Sequence, residues 1–117
     1  MSQESEKVSK AVQELCDYPN LPHGWDSYDA PPPSLLATKH CLFIILTAFD
    51  LSIPFEWVTP TSEGSILLKF FNDPMSVKFE IDNDGEIGVM SEEHGSYNPL
   101  FYDLKMKDIP EFLAKFL

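Results

Sequence analysis

The chain reads as an α+β protein, with helices packed on one face of a four- to five-stranded antiparallel meander in a single domain. Three observations carry that expectation. Apolar residues recur at helical spacing up to about residue 50 and at a period of two after Pro54. The alternating segments are joined by short turns, and short turns make neighbouring strands antiparallel. A chain of 117 residues with 44% hydrophobic content, including nine Phe and two Trp, has enough apolar side chain for one core.

Residues 2–16 form the first expected helix, because Val8, Ala11, Val12 and Leu15 fall at i, i+3, i+4 and i+7. Ser5 is its expected N-cap, with a start at Ser2 as the alternative, and Pro19 and Pro22 stop it. Residues 17–34 form a structured, proline-rich loop that carries Trp25 and Tyr28, with Pro31–Pro33 favouring extended backbone. Ser34 caps a second helix over 35–49. That helix is apolar nearly all round, so it is expected to be buried on most sides or to lie in a dimer interface. Strands follow between 55 and 105: 55–59, 65–71, 75–81, 85–90 and 101–105. The segment 75–81 is the clearest, with Met75, Val77, Phe79 and Ile81 alternating with Ser76, Lys78, Glu80 and Asp82. Asp84-Gly85 signals a hairpin. Residues 91–99 read as a surface loop. A last helix, 109–117, has Asp108 as its cap, Glu111 at capping-box spacing, and an apolar stripe of Ile109, Phe112, Leu113 and Phe116.

The charge balance narrows function. There are 19 Asp and Glu against 8 Lys and Arg, a formal net charge of -11, and all the cations are lysines. Binding DNA or RNA requires phosphate neutralisation, mostly by Lys and Arg, and arginine gives the bidentate grip. The sequence therefore argues against direct nucleic-acid contact and against anionic membrane surfaces. It favours a basic protein as partner, because an acidic face steers association. Two cysteines, Cys16 and Cys41, are too few for a disulfide scaffold and match no zinc signature. The N-terminal ten residues do not resemble a signal peptide, and no apolar run approaches the ~20 residues of a membrane-spanning helix. A cytoplasmic setting is expected.

The stretch Gly24-Trp25-Asp26-Ser27-Tyr28-Asp29-Ala30, followed by prolines, Ser34 and a helix, resembles a small family of bacterial and phage-borne domains. Those domains carry a Gly-Trp-Asp-Gly-Tyr-Gly-Ala-type motif before a capped helix. The next features are similar too: Pro60-Thr61-Ser62-Glu63-Gly64-Ser65 as a turn, Ile66–Phe70 as an apolar strand, and Ile81–Ile87 around an Asp-Gly turn. Ser27, Asp29 and Ser65 stand where the family has glycine. The resemblance implies a fold more than a reaction, and it implies the setting of mobile elements or defence loci.

Two groups of residues are candidate binding elements. Trp25, Asp26 and Tyr28 place two aromatics and a carboxylate in one loop, where they either contact a partner or anchor the loop to the core. Seven carboxylates and no lysine lie between Phe79 and Leu104, among them Glu80, Asp82, Asp84, Glu86, Glu92 and Glu93. Like charges held close destabilise a sheet, so they suggest either a binding face or a solvated edge. Asp82–Glu86 lacks the ligand spacing of a calcium loop, and the histidines form no metal pattern. No cofactor and no catalytic motif is expected. The sequence supports a non-enzymatic, acidic protein-binding module of inhibitor, immunity, antitoxin or phage counter-defence type. The alternatives are a homo-oligomeric structural component, and an enzyme with an unrecognised site near His94, Asp26 or Tyr28.

Overall fold

The computed structural model describes residues 3–26, 29–96 and 99–115. Helix α1 (Gln3–Cys16) is followed by a 3-10 turn (Tyr18–Asn20) and helix α2 (Leu35–Asp50). Strands β1 (Phe55–Pro60), β2 (Ile66–Asn72), β3 (Met75–Ile81), β4 (Ile87–Glu93) and β5 (Leu100–Leu104) come next, then a 3-10 turn (Met106–Asp108) and helix α3 (Ile109–Ala114). The strands lie in sequence order, each antiparallel to its neighbour. This is the expected α+β meander.

Alternation sorts the side chains. Ile66, Leu68 and Phe70 of β2, Val77, Phe79 and Ile81 of β3, and Ile87 and Val89 of β4 face the helices and are buried. The helices return Val8, Ala11 and Leu15 from α1, Ala37, Cys41, Ile44, Ile45 and Ala48 from α2, and Ile109 and Leu113 from α3. A row of aromatics runs across the core: Phe55, Phe70, Phe79, Phe112 and Tyr102 meet edge to face at centroid distances of 6.2, 5.9, 6.0 and 5.5 Å. Full burial of a Phe contributes roughly 1.5–3 kcal/mol, so this row is a principal source of stability. Burial also raises the Tyr18 phenol to about 12, with smaller contributions from Cys41 and Glu14. It pushes the Cys41 thiol above its ordinary range as well.

Several details depart from the sequence reading. α2 is not buried on most sides. Ala37, Thr38, Cys41, Ile44, Ile45 and Ala48 pack inward, whereas Leu35, Leu36, Phe43, Leu46 and Phe49 are exposed on the other side. Strand β4 begins at Ile87 rather than 85 and continues to Glu93 through what reads as loop, because Ser91 faces the core and pairs with Val77. Ser5 lies inside α1, not at its N-cap. Asp108 makes no side-chain cap to α3; its carboxylate accepts from the Lys105 backbone N–H at 3.3 Å instead. Phe116 and Leu117 lie outside the described residues.

Both ends of α2 are built as expected of strong caps. The Ser34 hydroxyl accepts from Ala37 N–H at 3.0 Å. At the C-terminus Ile53 N–H reaches Ala48 O at 2.9 Å and Ser52 N–H reaches Phe49 O at 3.0 Å, with Ser52 at φ 61°. That is a Schellman motif with serine in the position usually given to glycine.

Candidate functional site

The β3–β4 turn closes through Asp82 N–H to Glu86 O at 2.9 Å and Gly85 N–H to Asp82 O at 2.8 Å. Gly85 has φ 92°, which suits the left-handed position of a three-residue hairpin. Asn83 fastens this turn to the start of α2. Its Oδ1 accepts from Ser34 N–H at 2.7 Å and its Nδ2 donates to Pro32 O at 3.3 Å, while Ser34 Oγ donates to Asn83 O at 2.8 Å. On the other side of the turn, His40 Nδ1 lies 3.1 Å from Gly85 O.

The proline-rich loop is tied to the same corner. Gly24 N–H donates to Ala30 O at 2.8 Å, the Trp25 indole N–H donates to Pro31 O at 3.1 Å, and Asp26 Oδ1 accepts from Ala30 N–H at 3.4 Å. Gly64 completes the corner: at φ 84°, a Cβ there would lie 2.6 Å from Asn83 Nδ2 and 3.0 Å from Pro31 Cγ. Gly24, Trp25, Asp26, Ser34, Gly64 and Gly85, all within the motif-like segments, thus converge on one junction between loop, helix and hairpin. Trp25 and Asp26 are half-buried there. Tyr28 lies outside the described residues.

The acidic residues separate into two groups. Glu80 of β3, Asp82, Asp84 and Glu86 of the hairpin, and Asp103 of β5 line a hollow of about 680 Å³, together with His40 and Lys105. Register explains the gathering: Glu80 pairs with Gly88 and Gly88 pairs with Asp103, all on the sheet face turned away from the helices. Gly88 has no side chain, and a Cβ there would meet none of the described residues within 4 Å. Two carboxylates therefore face each other across an uncovered strand. Glu92 and Glu93 are at the far end of β4, opposite Ser76 and Met75, about 14 and 17 Å along the strand from Gly88. They do not join the hollow, and neither do Trp25 and Asp26.

At the hairpin tip, carboxylate oxygens of Asp82, Asp84 and Glu86 lie within 4.8 Å of one another. Of the three, the Asp84 carboxylate is held by the turn, its Oδ1 accepting from Glu86 N–H at 3.0 Å.

A second hollow of about 450 Å³ adjoins the first and shares Glu80, Gly88 and Asp103. The apolar part of its wall comes from Leu67, Met90 and Phe101, the last 73% exposed. Lys78 also lines this hollow, and on the neighbouring strand Lys69 stands opposite it. Each has a partner: Lys69 pairs with Glu56 at 3.3 Å, and Lys78 stands 5.8 Å from the Trp57 ring centre. This outer face escaped the sequence reading. Its signal was present in the alternation, because Leu67, Lys69 and Phe71 occupy the opposite phase from Ile66, Leu68 and Phe70.

No protein-family model matches the chain, and no curated protein or solved structure matches it. Among the described residues, no helix is long and apolar enough to cross a membrane.

Proposed function

We propose that this protein is a non-enzymatic binding module that docks its acidic sheet end against a basic surface of another protein. The carrying observation is the gathering of Glu80, Asp82, Asp84, Glu86 and Asp103 around the bare backbone of Gly88. A lysine or arginine side chain suits this arrangement in both of its parts. Its aliphatic stem lies on Leu67, Met90 and Phe101, and its cationic head sits between Glu80 and Asp103. The net charge of -11 accelerates such an encounter and makes it salt-sensitive. An inhibitor, an immunity or antitoxin protein, or a phage counter-defence factor would work this way, by covering a positive surface that its target needs. The segments resembling phage-borne domains support that setting.

The test compares the wild-type chain with the double reversal E80K/D103K. Capture from host lysate at ~50 mM and ~500 mM salt, where screening lengths differ severalfold, should recover a Lys- and Arg-rich protein only with wild type and only at low salt. Equal recovery by the reversal variant, or recovery indifferent to salt, refutes the reading.

A further inference from the structure

We infer that α2 joins two copies of this chain in an antiparallel, two-fold dimer, an inference independent of the acidic docking site. The side of α2 directly opposite its buried face carries Leu36, Lys39, Phe43, Leu46 and Asp50. These positions advance by three, four, three and four residues, which is the spacing of a coiled-coil seam. All are exposed, with Leu36 at 44%, Phe43 at 43% and Leu46 at 46%. Leu35, at 59%, widens the seam at its N-terminal end. A helix with one apolar face in the core and a second facing outward is a recurring sign of an interface. It also explains why α2 is apolar nearly all round although only half of it is buried.

Charge selects the occupant and its orientation. Among the described residues, neither Lys39 nor Asp50 forms an ion pair within the chain. An antiparallel second copy places Phe43 against the second copy's Leu46 and, in the same register, Lys39 against the second copy's Asp50. The two-fold axis repeats both contacts, so the seam satisfies itself. A parallel pair would instead oppose Lys39 to Lys39 and Asp50 to Asp50. The seam carries no net charge, which allows two strongly acidic chains to approach on this side.

Sedimentation equilibrium of the full chain tests the inference, with circular dichroism confirming that each variant folds. Wild type is expected to be a dimer at micromolar concentration. F43E, at an exposed position, should leave the spectrum unchanged and yield a monomer. K39D should weaken dimerisation by ~10-fold or more through its two lost pairs, and K39D/D50K should recover most of that loss. A wild-type chain that stays monomeric to about 1 mM, or a K39D variant that dimerises as wild type does, overturns the inference.

Discussion

Replacing Asn83 with alanine removes the two side-chain hydrogen bonds that fasten the acidic hairpin to α2: Ser34 N–H to Oδ1 at 2.7 Å and Nδ2–H to Pro32 O at 3.3 Å. The third contact, Ser34 Oγ to Asn83 O, uses backbone and survives. A partly buried hydrogen bond contributes about 1 kcal/mol net, and the orphaned Ser34 N–H adds some desolvation cost. The expected loss is therefore ~2 kcal/mol. With an unfolding entropy of about 2.1 cal/mol/K per residue, that corresponds to a fall in melting temperature of roughly 8 °C for a chain of this size. Scanning calorimetry measures the shift. Amide hydrogen exchange supplies a local readout, because Ser34 N–H should lose protection before the core strands do. The hairpin carries Asp82 and Asp84, so affinity for a basic partner should fall as well. A melting temperature within ~2 °C of wild type, with Ser34 protection intact, would refute the claim that Asn83 holds this corner together.

Three further outcomes follow from the same geometry. Ser52→Gly should stabilise the chain by about 1 kcal/mol, since Ser52 occupies the left-handed C′ position at φ 61° and glycine adopts it without penalty; denaturant unfolding checks it, and no gain in midpoint counts against it. Gly88→Val should fold normally, because a Cβ there would meet none of the described residues within 4 Å, yet it should weaken partner binding by filling the space between Glu80 and Asp103; unchanged binding would exclude that space from the interface. Burial raises the Tyr18 phenol from 10.0 to about 12, so its stabilising effect is complete below pH 10 and is lost as pH rises through 12. Two units correspond to ~3 kcal/mol at most, and Cys41, raised by burial, drives loss in the same direction; Tyr18→Phe should therefore hold its near-UV signal to higher pH than wild type, and an unshifted alkaline midpoint would contradict the assignment.

What the sequence made legible was whatever depends on local period. Strand β3 is read correctly from Met75 to Ile81 because its inward residues are large and apolar and its outward ones polar. The same rule fails on the neighbouring strand. Ser91 points into the core with 2% exposure, so the polar run Ser91-Glu92-Glu93 looks like loop although it continues β4. The sequence reads α2 as enclosed because an all-round apolar helix gives no sign of which neighbours cover it, whereas among the described residues its outward side stays exposed. The Asn83 junction was invisible for a different reason. Its partners Pro32 and Ser34 lie about fifty positions away, and hydrogen bonds at that separation leave no periodic trace. The acidic tract was legible as composition but not as geometry: only register shows that Asp103 belongs with Glu80, and that Glu92 and Glu93 do not.

Register also explains how so acidic a chain remains foldable. Like charges on directly opposed strand positions destabilise a sheet, yet Glu80 and Asp103 are never direct partners, because Gly88 stands between them on β4. Strand β4 keeps the carboxylates one strand spacing further apart, about 9–10 Å rather than 4.7–4.9 Å between backbones, close to the screening length at physiological salt. Their repulsion is thereby softened in the free protein, while both remain within reach of a single long cation placed over Gly88. A side chain at position 88 would cover that gap without relieving the charge. The absence of a side chain there thus leaves the gap open for recognition, and for that reason a gain in strand propensity at Gly88 should come at the expense of binding.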